Sequence, residues 1–155
     1  MPDDPSTAAP DSPTPEVEGV GDNYIAQRLA LSFATFMVGQ LFSGEGDWPY
    51  DPFWAEASPQ WSLTPELFRS IMGFDESRDV RMYPVRRPSA PEGTSYDQIL
   101  AFRLYDTLLS QMRNALGRLH EVYVGGENIV QVPYFLFGRL KGGNLVGLRS
   151  IDIQT

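Results

Sequence analysis

Ile129-Val130-Gln131-Val132-Pro133-Tyr134-Phe135-Leu136-Phe137, then Lys141-Gly142-Gly143-Asn144, then Leu145-Val146-Gly147-Leu148-Arg149-Ser150-Ile151-Asp152-Ile153 reads as strand, turn, strand. The first run is rich in β-branched and aromatic residues, which suit a pleated, half-buried surface. The Gly-Gly-Asn step supplies the backbone freedom of a hairpin turn. Pro133 cannot donate to a ladder, so an edge position or a bulge is expected there. Two residues after Ile153 comes Thr155. The last strand is therefore expected to hold its end against the body, with a hydroxyl and a carboxylate at the tip.

Working back from this β end, Val122 to Val124 opens the strand region and Gly125-Gly126 turns it. Before it lies a long helix. Phe102, Tyr105, Leu109, Met112, Leu116 and Leu119 recur at steps of three and four, the mark of a buried face. Thr94 with Asp97 resembles a capping box at its start. Val80, Met82, Tyr83 and Val85 form a short strand amid Arg78, Arg81, Arg86 and Arg87, read as a solvated rim. Thr64-Pro65 opens a short helix and Gly73 ends it.

The first helix is expected from Asp22 or Asn23, with Ile25, Leu29, Phe33, Phe36 and Gln40 on one stripe and Ala26, Ala30 and Met37 beside it. Gly39 is its natural stop. Between it and the Thr64 helix runs Leu41-Phe42-Ser43-Gly44-Glu45-Gly46-Asp47-Trp48-Pro49-Tyr50-Asp51-Pro52-Phe53-Trp54. Its glycines and prolines forbid a continuous helix. It reads as an acidic surface turn leading into a short edge strand whose aromatics pack down. The resulting fold class is α/β or α+β: helices covering a mostly antiparallel or mixed sheet, with a C-terminal β-hairpin.

Composition narrows the function. The chain has 155 residues, no cysteine and a net charge of -8. Residues 1–21 are proline-rich and, with Asp22, hold six acids and no base; they are expected to be a disordered acidic tail, leaving 22–155 as one domain. An acidic chain is a poor match for nucleic-acid phosphates, so no direct nucleic-acid binding is expected. A basic protein is the more natural partner. The N-terminus lacks the charged and apolar regions of a signal peptide, and the apolar runs are too short to span a bilayer. A soluble, cytoplasmic protein is expected. No phosphate loop, nucleophile elbow or metal-ligand cluster is present, and His120 stands alone. The residues point to a protein-binding module rather than an enzyme, with no cofactor and no metal of its own.

Two stretches together resemble the nuclease A inhibitor family. One is Gln40 to Tyr50: Leu-Phe, two small residues, Glu45, a small residue, Asp47, then an aromatic, Pro and an aromatic. The other is Val122-Tyr123, Gly125, the long strand to Gly138, Gly143-Asn144-Leu145-Val146-Gly147, and Thr155. The resemblance covers roughly residues 22–155 and implies an α-β-α sandwich. It also implies an inhibitor of sugar-nonspecific nucleases that carry one divalent metal. By position, Thr155 would contact the partner's metal and Glu45 would lie beside it, with Asp47 and Trp48 at the same interface. A hard cation takes oxygen ligands and keeps exchangeable waters, so a hydroxyl on a held tip can replace one. The family's Trp before the long helix has no counterpart in Pro88–Tyr96, where Tyr96 is the nearest aromatic. The alternative is a module of the same fold with a non-nuclease partner.

Overall fold

A computed structural model describes residues 15–42, 48–86 and 92–154. Helix α1 spans Pro15–Phe36, α2 Pro65–Met72 and α3 Tyr96–Leu116. The strands are β1 (Leu41–Phe42), β2 (Trp48–Pro49), β3 (Asp51–Ala55), β4 (Arg78–Pro84), β5 (Leu119–Gly126), β6 (Gln131–Arg139) and β7 (Leu145–Ile153). β1 and β2 form a small antiparallel pair. The other five make one sheet in the order β3-β7-β6-β5-β4, with every pair antiparallel. The mixed helix and strand content agrees with the expectation, and the sheet is antiparallel rather than mixed.

Strand alternation sorts the core into two clusters. Tyr134, Leu136, Val146 and Leu148 pack with Ala26, Ala30 and Phe33 of α1 and Leu108, Leu109 and Met112 of α3. The alternate residues Phe135, Phe137 and Leu145 pack with Phe53, Val122, Val124 and Phe68 of α2. Phe53, Phe68, Phe135 and Phe137 meet with ring centroids 5.0 to 6.3 Å apart. Such pairs add about 0.5–1.5 kcal/mol each beyond burial.

The ends of α2 are as expected. Thr64 Oγ1 accepts from the Leu67 amide at 3.1 Å, Pro65 fills the first helical position, and Gly73 turns left-handed at φ 76°. The start of α3 differs by one residue. Ser95, not Thr94, is the cap: its hydroxyl accepts from the Gln98 amide, and the Gln98 side chain accepts from the Ser95 amide. Gln is a usual partner at this position, with a side chain long enough to reach back to the cap amide.

Helix α1 departs further. It begins at Pro15 instead of near Asp22, so residues 15–21 are not the unstructured tail expected of them; residues 1–14 lie outside the described part. Proline's fixed φ suits a first helical position, where its missing N–H costs nothing. The buried stripe is Ala26, Ala30, Phe33 and Met37, while Ile25 is exposed. Two alanines let the helix backbone lie close to the sheet, and a reading weighted toward large side chains turned the face by one residue.

Asn23, expected as a cap, lies within the helix and does something else. Its side-chain oxygen accepts from Asn144 Nδ2 at 2.9 Å, and Asn144 Oδ1 accepts from the Ala57 amide at 3.1 Å. Asn144 is buried. One side chain thus ties together α1, the turn before β7 and the segment after β3. Asn144→Ala strands a buried N–H, an expected loss of about 1–3 kcal/mol in chemical denaturation. Asn144→Asp retains the acceptor for Ala57 and should recover part of it.

Pro133 is not on an edge strand, since β6 has neighbours on both sides. Pairing with β7 continues through Pro133↔Ile151 to Gln131↔Ile153. Pairing with β5 stops at Tyr123↔Tyr134, one residue short of the proline. The expectation holds for one side of the strand only.

Candidate partner-binding edge

Glu45, Asp47 and Thr155 lie outside the described residues, so the candidate site is built from what flanks them. The acidic segment 43–47 is bounded by β1 and β2, which pair as Leu41↔Pro49 and Phe42↔Trp48. Trp48 is exposed at 37% relative area. β2 is fastened to the last strand. The Ser150 hydroxyl lies 2.9 Å from the Pro49 carbonyl and 3.3 Å from that of Trp48. Ser150 is one of two buried polar residues, with Asn144, among the described residues. Beyond it, the Gln154 amide donates to the Val130 carbonyl at 2.8 Å, which holds the chain against the β6 side as far as the described part extends.

Tyr50 follows β2 directly and anchors it below. It packs against the core shared by α1 and α3. Around it lie Tyr105, Tyr123 and Glu121, and the Tyr134 hydroxyl donates to Glu121 Oε2 at 2.6 Å. Burial pushes the Tyr105 hydroxyl up to about 12 and raises Tyr50, Tyr123 and Tyr134 as well, with the Glu121 charge adding to each. All four stay protonated at neutral pH and act as neutral hydrogen-bonding groups.

On the same face as Ser150 a cavity of about 600 Å³ opens where β5 and β6 part beyond the Tyr123↔Tyr134 pair. Val132, Gly125 and Gly126 line it from the two diverging strands. Asp152 and Gln154 line it from β7 and the residue after it, and Asp79, Arg81 and Tyr83 from β4. Sequence reasoning passed over Ser150 and Asp152. Their signal was available: Val146, Leu148, Ser150 and Asp152 share one face of an alternating strand, so two polar residues continue an otherwise apolar inward row.

The remaining expectations are structural. Arg78 donates to the carbonyls of Val124 and Gly125 and lies over Phe74, and Arg81 pairs with Asp79 at 2.7 Å. The basic rim is therefore committed within the sheet edge at these two positions. His120 is held below its ordinary pKa, first by burial and then by the Arg118 and Arg139 charges, so it stays neutral. Among the described residues no cluster of three metal-ligating side chains occurs, and no helix is long and apolar enough to cross a membrane. Searches against protein-family models and against curated proteins return no match for this chain.

Proposed function

We propose that this protein inhibits a nonspecific, metal-dependent nuclease by presenting Thr155 and the acidic loop to the partner's active site. The observation that carries this reading is the Ser150 hydroxyl bond to the Pro49 carbonyl, which joins the flank of the acidic loop to the terminal strand. Register supports it. β3 and β7 run antiparallel and end their pairing at Asp51↔Arg149. The chain before Asp51 and the chain after Arg149 therefore leave this pairing at the same end, and Glu45 and Thr155 each come six residues further out in sequence. The Thr155 hydroxyl replaces a water on the partner's divalent ion, and Glu45 acts beside it; Asp47 adds charge and the exposed Trp48 adds contact.

In this reading the two core clusters are the filling of an α-β-α sandwich, with α1 and α3 on one side, α2 on the other, and β6–β7 as the C-terminal hairpin. The acidic balance and lack of cysteine fit a cytoplasmic partner of a basic enzyme. The test is inhibition of a purified metal-dependent nonspecific nuclease by the full chain. Glu45→Gln keeps shape and removes charge, so it should raise the inhibition constant roughly tenfold, the effect of one charge-assisted contact. Full-strength inhibition by that variant would remove Glu45 from the site, and no inhibition by the wild-type chain of any such nuclease would favour a non-nuclease partner.

A further inference from the structure

The cavity at the β5–β6 fork has a composition of its own. Tyr83 and Tyr123 stand edge to face, with ring centroids 6.2 Å apart at 67°, and form one wall. Asp79, Glu127 and Asp152 bring three carboxylates against the single guanidinium of Arg81. That guanidinium is already taken by Asp79 and by the Tyr83 hydroxyl. Among the described residues Asp152 accepts from a neutral donor, the Gln154 side-chain amide, at 2.9 Å. The cavity therefore sets two tyrosine rings beside two carboxylates, Glu127 and Asp152, that have no cation partner among the described residues.

This combination selects a cation with a flat face. A ring quadrupole attracts positive charge within about 6 Å, and a neighbouring carboxylate takes the same group by charge-assisted bonds. Guanidinium satisfies both at once because it is planar, stacks on rings and presents a fork of donors; ammonium is a strongly hydrated point charge and stacks poorly. Burial, with the Glu121 and Asp152 charges, keeps Tyr123 protonated, so its ring remains neutral and its hydroxyl remains available as a donor or acceptor. The volume is ample for one long side chain.

We propose that this cavity is a receptor for an arginine side chain projecting from a protein partner. It opens on the Ser150–Asp152 face of β7, next to where β2 is fastened, so an arginine seated there would anchor a partner already in contact with that edge. The site does not depend on what the partner is, and it can be tested without a nuclease.

The probe is N-acetyl-arginine amide titrated into the full chain and followed by amide shifts of Tyr123, Gly125 and Asp152. A saturable response in the millimolar range is expected, as suits a single side chain. N-acetyl-citrulline amide has nearly the same shape without the charge and should give no saturable response. Asp152→Asn should weaken arginine binding roughly tenfold, as should Tyr83→Leu, which removes a ring from an exposed edge position. Equal response to arginine and citrulline, absence of saturation with arginine, or undiminished binding by both folded variants would overturn the proposal. Because the readout contains no nuclease, failure here leaves the inhibition reading intact, and the reverse also holds.

Discussion

Gly147→Ala is expected to be the most destabilising single substitution in the sheet. Gly147 lies in β7, between Phe53 of β3 on one side and Phe137 of β6 on the other. A Cβ added there would stand 1.9 Å from the Leu136 carbonyl oxygen and 2.7 Å from Phe137 Cα. Both are backbone atoms of the central strand, so no side-chain rotation relieves the overlap. β6 and β7 would have to separate where the Phe53–Phe137 contact and the inner core meet. Overpacking alone costs about 1–3 kcal/mol; with ladder bonds broken as well, the loss should exceed about 4 kcal/mol. Set against a total of about 5–15 kcal/mol for a domain, that removes a large share of the stability. Gly142→Ala is the control. Its Cβ would meet only the end of the Asp22 side chain, at 2.6 Å, which can swing aside. A loss under about 1 kcal/mol is expected there. Denaturant unfolding followed by far-UV circular dichroism separates the two, and equal stability of both variants would mean that strand spacing at Gly147 is softer than its contacts indicate.

The contrast between Gly147 and Gly73 shows what the sequence could and could not tell. Gly73 was readable because capping is local: Thr64, Pro65 and Gly73 bracket eight residues whose apolar spacing speaks for itself. Gly147 looked like any glycine in a strand, since its necessity comes from a carbonyl on a neighbouring strand. The same division runs through the rest of the fold. Strand alternation sets Tyr134 and Leu136 against one core cluster and Phe135 and Phe137 against the other, but which helix covers which face is not written in the strand. The face of α1 was misjudged because closeness to the sheet, which favours Ala26 and Ala30, depends on what the helix lies against. The cavity was invisible for a similar reason. It requires β4, β5, β6 and β7 side by side, and Tyr83 and Asp152 have no reason to be associated until the register is known. Of the candidate edge, the acidic loop was legible as a motif. Its fastening through Ser150 joins residues a hundred positions apart and was legible only as a polar residue in an apolar row.

Appending five residues of Ser and Gly after Thr155 is expected to weaken nuclease inhibition on the order of a hundredfold, which corresponds to about 2.8 kcal/mol. Deletion of Thr155 should cost less, roughly tenfold, because water can return to the metal and the rest of the interface still closes. The order of the two effects carries the argument. If the last residue merely completed a strand, deletion would be the more harmful change and a soluble extension would be neutral, since added polar residues leave Ser150, Asp152 and the Gln154 amide bond untouched. If instead Thr155 enters a closed metal site, an extension must thread into space the nuclease does not provide, and it blocks approach of Glu45, Asp47 and Trp48 along with the tip. Thermal unfolding of both variants should match the unaltered chain, which separates a blocked site from a damaged fold. Measured as inhibition constants at one ionic strength, an extended chain as potent as the original would rule out tip insertion while leaving the β2–β7 edge as a binding surface of another kind.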